Sequence, residues 1–167
     1  KKTILKVREA VGDGFPLMID PACKLRTFTE VLLIGQACDE ANYLWLEDAY
    51  RDSGVSTTAH KMLRQRLKTP ILQREHVRGL EEHVNFIVAE GTDFVRADAE
   101  YDGGVTGASK IAHASEGFGL DVELHGPHPA HRQLMAGIRN SNFYEMSFVD
   151  PKTPEIGRCM DIYADNY

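Results

Sequence analysis

Five short, mostly apolar runs of this sequence close on an ionisable side chain: Asp20 after PLMI, Glu47 after YLWL, Glu75 after PILQR, Asp98 after FVRA and His125 after DVEL. A polar group ending an apolar strand costs free energy unless a metal, a partner or water meets it there. One such ending is an ordinary solvated strand end. Five in succession, all acidic or histidine and none lysine, imply a shared site. Asp20, Glu47 and Glu75 offer only oxygen, the donor set of a hard cation such as Mg²⁺ rather than of zinc, which prefers nitrogen and sulfur. Asp98 on one run and His125 on the next fit an Asp–His dyad. In such a pair the carboxylate fixes the tautomer and raises the basicity of the ring, making the histidine a general base or acid.

The elements that carry these residues alternate. Strand-like runs fall at 16–20, 43–47, 70–75, 94–98, 121–125 and 144–149, each short and mostly apolar as buried parallel strands are. Helical segments are expected at 27–42, 57–67, 79–90, 105–118 and 129–139. The first of them opens on Thr27 and Glu30, a capping-box spacing. Strand ends recur every 23 to 28 residues, the length of one βα repeat. Strict β/α alternation predicts an α/β fold with a parallel sheet, doubly wound or closed into a TIM-type (β/α) barrel. In a barrel the C-terminal strand ends converge on one mouth, where active sites lie. No G-x-G-x-x-G follows a strand, which counts against nucleotide binding.

Composition narrows the partners. A net charge of −6 supplies no basic field for nucleic acid or an anionic membrane. No apolar run approaches the roughly 18 residues of a membrane-spanning helix, and the N-terminal KKTILKVREAVGDG reads as no signal peptide. Cys23, Cys38 and Cys159 are odd in number and without a CxxC, the pattern of reduced thiols in the cytoplasm.

VGDGFPLMID, LWLED, PILQRE and DFVRADAEYDGGVTGASKIAHASEGFGLDVELH, in this order and spacing, resemble the mandelate racemase-like branch of the enolase superfamily. The resemblance runs from about Val7 to Pro151, and the GGVTG run after Asp98 is its most specific part. It implies that residues 1–167 are the third to eighth strands of a C-terminal TIM-type barrel, with the N-terminal capping domain and first two strands absent. It implies Asp20, Glu47 and Glu75 as Mg²⁺ ligands, His125 as the catalytic histidine, Asp98 as its partner, and Glu145 as the group that hydrogen-bonds the substrate carboxylate. The expected substrate is a small-molecule carboxylate, deprotonated at the α carbon through an enediolate, and the expected assembly is a homo-oligomer. A Lys or His base with Mg²⁺ is the general pattern of that superfamily.

The departures from the family pattern are local. Ala22 stands where many members have Asn, Asp48-Ala49 replaces Glu-Pro, Arg74 replaces a common glycine and Tyr101 a common lysine. Lys1, Lys2 and Lys6 fall in an expected helix and carry no base role. The resemblance favours an acid-sugar dehydratase (a lyase), with a 2-hydroxy-acid racemase or epimerase as the alternative. A different class of reading is a non-catalytic barrel fragment, since unpaired strand edges favour association. A histidine-rich metallohydrolase would need an early HxH pair, which is missing. Arg96, two residues before Asp98, is expected to face inward and pair with Glu47 or Glu75. Tyr43 and Trp45 are expected to fill the core beside Glu47, His76 to be structural or to support the ligand ring, and His128 and His131 to be polar groups of a loop or helix start.

Overall fold

The computed structural model describes residues 1–51, 56–73 and 75–146. Its elements alternate as α1 (Lys2–Val11), β1 (Met18–Ile19), α2 (Phe28–Glu40), β2 (Trp45–Glu47), α3 (Thr57–Arg64), β3 (Ile71–Leu72), α4 (Leu80–Val88), β4 (Val95–Ala97), α5 (Gly104–Gly117), β5 (Val122–Leu124) and α6 (Pro129–Gly137). The strands are parallel: β1, β2 and β3 form one ladder and β4 and β5 a second, and a parallel bridge from Leu72 to Phe94 joins the two. The expected α/β fold with parallel strands is therefore present, each strand shorter than its apolar run. Residues 144–146 of the run expected at 144–149 have no strand conformation, and the remainder lies outside the described residues.

Alternation along the strands sorts the side chains. Leu46, Val95, Ala97, Val122 and Leu124 point to the helices and are fully buried there, Leu46 with Val31, Leu63 and Ile71, the other four with Ala108, Ile111 and Ala112. Trp45, Glu47, Arg96 and Glu123, offset by one residue, point the opposite way into a shared cavity. The helices thus cover an apolar outer face while the inner face is polar. Tyr43 departs from the expectation that it sits beside Glu47: it packs among Ile4, Leu17, Ala37 and Cys38 beneath α1 and α2. Its hydroxyl donates to the Ile4 carbonyl at 3.4 Å. Strand β2 begins only at Trp45, so the two-residue alternation does not reach back to position 43.

Local chemistry places the helix starts. The Thr27–Glu30 capping box forms as expected, with Thr27 Oγ1 accepting from Glu30 N–H and Glu30 accepting from Thr27 N–H. In the GGVTG run, Gly103 and Gly104 adopt φ of 81° and 77°, which L side chains rarely take. Gly107 does something different: a Cβ there would lie 1.6 Å from the Asp102 carbonyl oxygen. Gly107→Ala must displace backbone rather than a flexible side chain. We expect it to cost about 3 kcal/mol in denaturant unfolding, against a few tenths for Gly117→Ala, whose added Cβ meets nothing within 4 Å.

Candidate active site

Asp98 follows the last residue of β4 and His125 the last residue of β5, strands in register from Val95–Val122 to Ala97–Leu124. That register carries the His125 imidazole to 2.7 Å from Asp98, Nδ1 to Oδ2. A carboxylate only accepts, so the proton sits on Nδ1 and Nε2 is left for chemistry. Burial pushes the His125 pKa down, but the Asp98 hydrogen bond together with the charges of Glu75 and Glu145 makes the net shift upward. Asp98 itself is buried, which would raise it; hydrogen bonds from His125 and the Glu100 amide hold it instead well below the usual carboxylate range. Tyr101 stacks on the imidazole with ring centroids 6.1 Å apart, and Arg78 lies over the other ring at 4.4 Å from the Tyr101 centroid.

The three carboxylates at the ends of β1, β2 and β3 are differently placed. Glu47 is the last residue of β2 and 6 % exposed. Burial drives its pKa up to about 8, although Arg96 pulls it down. Asp20, one residue beyond β1, is raised by burial and by the charges of Glu75 and Glu145. Glu75 lies three residues beyond β3 and is half-buried; its Oε2 has no hydrogen-bond partner. Among the described residues these three do not draw their oxygens into one cluster within 4.8 Å; two other groups do, Cys23–Asp48–His76 and Asp98–His128–His131. In the first, Cys23 donates to Asp48 at 3.0 Å. Asp48, buried beside Glu75, has a pKa raised to about 7, chiefly by burial. Ala22, Cys23 and Asp48 all adopt positive φ (50°, 57° and 45°) without being glycine. Such strain persists only where the surroundings over-determine it and gathers at functional sites.

Arg96 faces inward as expected and pairs with Glu47, Nη2 to Oε1 at 2.8 Å. The same Nη2 also meets Glu145. Among the described residues, the hydrogen bonds to Glu145, from Arg96 and from the Gly126 amide at 3.0 Å, both fall on Oε2. Asp20, Glu47, Arg96 and Glu145 line one cavity of about 430 Å³, with Met18, Trp45 and Phe143 as its apolar wall. Glu123 shares this cavity and was not singled out in the sequence. Its signal was present: it lies two residues before His125, on the same inward face. Its carboxylate accepts from the Asn142 and Phe143 amides, pinning the chain that follows α6.

The two later histidines are positioned at the start of α6, His128 as N-cap and His131 in the first turn. His131 Nε2 accepts from the Ala99 amide at 2.8 Å, so its Nδ1 carries the proton and donates to the Gly126 carbonyl at 3.2 Å. Both ring nitrogens are spent on joining the loop after β4 to the loop after β5. His76 lies 3.7 Å from Glu75, Nδ1 to Oε1.

The chain is similar to known proteins in sequence and fold. The family model of enolase C-terminal domain-like proteins matches residues 2–162. The L-talarate/galactarate dehydratase of Salmonella typhimurium is 32% identical over 138 residues, 81% of this chain and 33% of that protein. The crystal structure of D-glucarate dehydratase from Agrobacterium tumefaciens, complexed with magnesium, superposes with a TM-score of 0.77 at 28% identity, covering 86% of this chain and 37% of that one. L-Talarate dehydratase of a Polaromonas species, complexed with magnesium and L-glucarate, gives 0.72 at 27% identity, over 81% and 37%. The chain thus spans about a third of the length of the curated relative.

The buried carboxyls have a consequence for stability. An acid whose pKa is higher folded than unfolded binds more protons when folded, so its contribution is full below its ordinary value and lost as pH rises through the folded value. Glu47, lifted from 4.5 to about 8, and Asp48, lifted from 3.8 to about 7, act in the same direction. The upward shift of His125 adds to them. The melting temperature of the metal-free chain should fall between about pH 6 and pH 9, and Glu47→Gln should flatten that fall. A melting temperature that rises over this interval would contradict the assignment.

Proposed function

Since the chain belongs to the enolase C-terminal domain-like family, in the mandelate racemase-like branch of the enolase superfamily, we propose that it carries the catalytic half of an acid-sugar dehydratase, a lyase that removes the proton α to a carboxylate and expels water. The observation that carries this reading is the pair of half-buried His125 and buried Asp98 at the same end of the parallel strands as Asp20, Glu47 and Glu75. On this reading β1 to β5 are the third to seventh strands of a TIM-type barrel, and Glu145 stands where the eighth begins. The relatives support the substrate class: those named above are dehydratases of acid sugars, two of them solved with magnesium.

Asp20, Glu47 and Glu75 would hold Mg²⁺. The donor set is all oxygen, Glu75 Oε2 is buried without a hydrogen-bond partner, and burial with the charges of neighbouring carboxylates raises the Glu47 pKa to about 8, as expected of ligands that need a cation to ionise. When bound, the ion supplies Lewis-acid stabilisation of charge on the carboxylate oxygens of the enediolate. The residues do the rest. His125 Nε2 moves the proton, as base at the α carbon or as acid toward the departing hydroxyl, while Asp98 holds the ring and stabilises its charged form. Glu145 would hydrogen-bond the substrate carboxylate by donating a proton carried on Oε1, and Arg96 offsets the acid groups around the cavity. Cytoplasmic location and homo-oligomeric assembly complete the proposal; no described helix is long and apolar enough to cross a membrane.

Calorimetry tests the ion site directly. Saturable Mg²⁺ binding should appear with the wild-type chain and disappear with Glu47→Gln. With an acid sugar in D₂O, the His125→Asn variant should lose at least about a hundredfold in rate, the usual scale for a general acid or base. Deuterium entering at C2 without loss of water would replace the dehydratase by a racemase, and no Mg²⁺ binding by a folded chain would sink the ion site.

A further inference from the structure

Behind the Asp98–His125 pair lies a second Asp–His pair that does not line the cavity of Asp20, Glu47 and Arg96. Asp102 Oδ2 accepts from the Asp98 amide at 2.8 Å. Asp102 Oδ1 accepts from the Gly79 amide at 2.8 Å and lies 3.3 Å from His83 Nε2. His83 Nδ1 in turn lies 2.5 Å from Gln73 Nε2. An amide nitrogen only donates, so Nδ1 accepts and the His83 proton is on Nε2, pointing at Asp102. Gln73 and His83 are fully buried, and the Asp102 side chain is 2 % exposed. Burying a charge this deeply is costly unless every oxygen is satisfied. Here two oxygens take three N–H donors, and Gly107 lets the following helix close onto the Asp102 carbonyl.

The pair joins three places. Gln73 is two residues before Glu75 beyond β3, Gly79 and His83 open α4, and Asp102 reaches back to the end of β4. Resting on the reading of Asp98–His125 as the proton-transfer pair, we propose that Asp102 and His83 are positioning residues: they fix the backbone at Asp98 and thereby the carboxylate that holds the His125 ring. Neither touches the substrate cavity, so neither is catalytic. The backbone of Asp98 has this single side-chain anchor at its amide, while its own carboxylate is spent on His125 and the Glu100 amide. The other charged groups around His125 are Arg96, Glu75 and Glu145, with His131 beside Asp98, and the test leaves all of them in place.

The measurement is the titration of His125 in the full chain, followed by NMR of histidine labelled at the ring nitrogens, which also reads the tautomer. Asp98→Asn sets the scale, with an expected fall in the His125 midpoint of about one unit or more. Asp102→Asn presents an amide donor to groups that themselves donate. It should lower the midpoint in the same direction, by about half to one unit, and weaken the preference for the Nδ1-protonated tautomer. His83→Leu should do the same, and His83→Gln, which keeps a donor toward Asp102, should restore it. If Asp102→Asn and His83→Leu only lower the melting temperature and leave His125 as in wild type, the pair is structural and the positioning role is overturned. If Asp98→Asn itself leaves His125 unmoved, the dyad fails and the positioning role with it.

Discussion

The fold turns on a single buried guanidinium. Arg96 sits on β4 with its neighbours facing the helices, yet its own side chain faces an interior that holds Glu47, Glu123 and Glu145. An unpaired charge in that position would cost several kcal/mol, and so would each unpaired carboxylate. The polar interior is therefore stable only as a set. Arg96 bridges Glu47 and Glu145, and Glu123 is held by the amides of Asn142 and Phe143. Burial displaces Asp48 toward the protonated form, and Glu47 likewise despite its bridge to Arg96. This excess of acid over base around one cavity is the physical reason for proposing a cation there.

The position of the dyad depends on a different part of the same constraint. Parallel register between β4 and β5 brings Asp98 and His125 together, but register alone does not orient a side chain. The orientation comes from a shell of groups whose hydrogen bonds leave one arrangement. His131 joins the loops after β4 and β5 through Ala99 and Gly126, and Asp102 holds the Asp98 amide. Enzymic groups must be held to fractions of an ångström for proton transfer, and buried, fully satisfied networks are how proteins achieve this.

Much of this was legible in the sequence. The alternation of apolar runs and helical segments predicted the order of ten of the eleven described elements, because the period of burial differs between strand and helix, and the family resemblance added α1. The inward direction of Arg96 followed from the two-residue repeat of β4 and its place before Asp98. Three things were not legible. Strand lengths came out shorter than the apolar runs, since residues at the run ends serve turns rather than ladder bonds. Tyr43 lies outside its strand, so alternation misplaced it. Asp102 and His83 are far apart along the chain, and only the packing of α4 against α5 makes them neighbours. The glycine at 107 was visible as part of a motif, but its reason, the close carbonyl of Asp102, is a fact of packing.

The central claim is that the acid groups at the ends of β1, β2 and β3 form one cation site facing the His125 imidazole. A crystal structure of this chain grown with Mn²⁺ in place of Mg²⁺, located by its anomalous signal, tests it most directly. The account predicts one ion bound by oxygens of Asp20, Glu47 and Glu75 at about 2.0 to 2.2 Å, with Arg96 moved off Glu47. An ion held instead by Cys23, Asp48 and His76, or no ion with the Arg96–Glu47 pair intact, would contradict it.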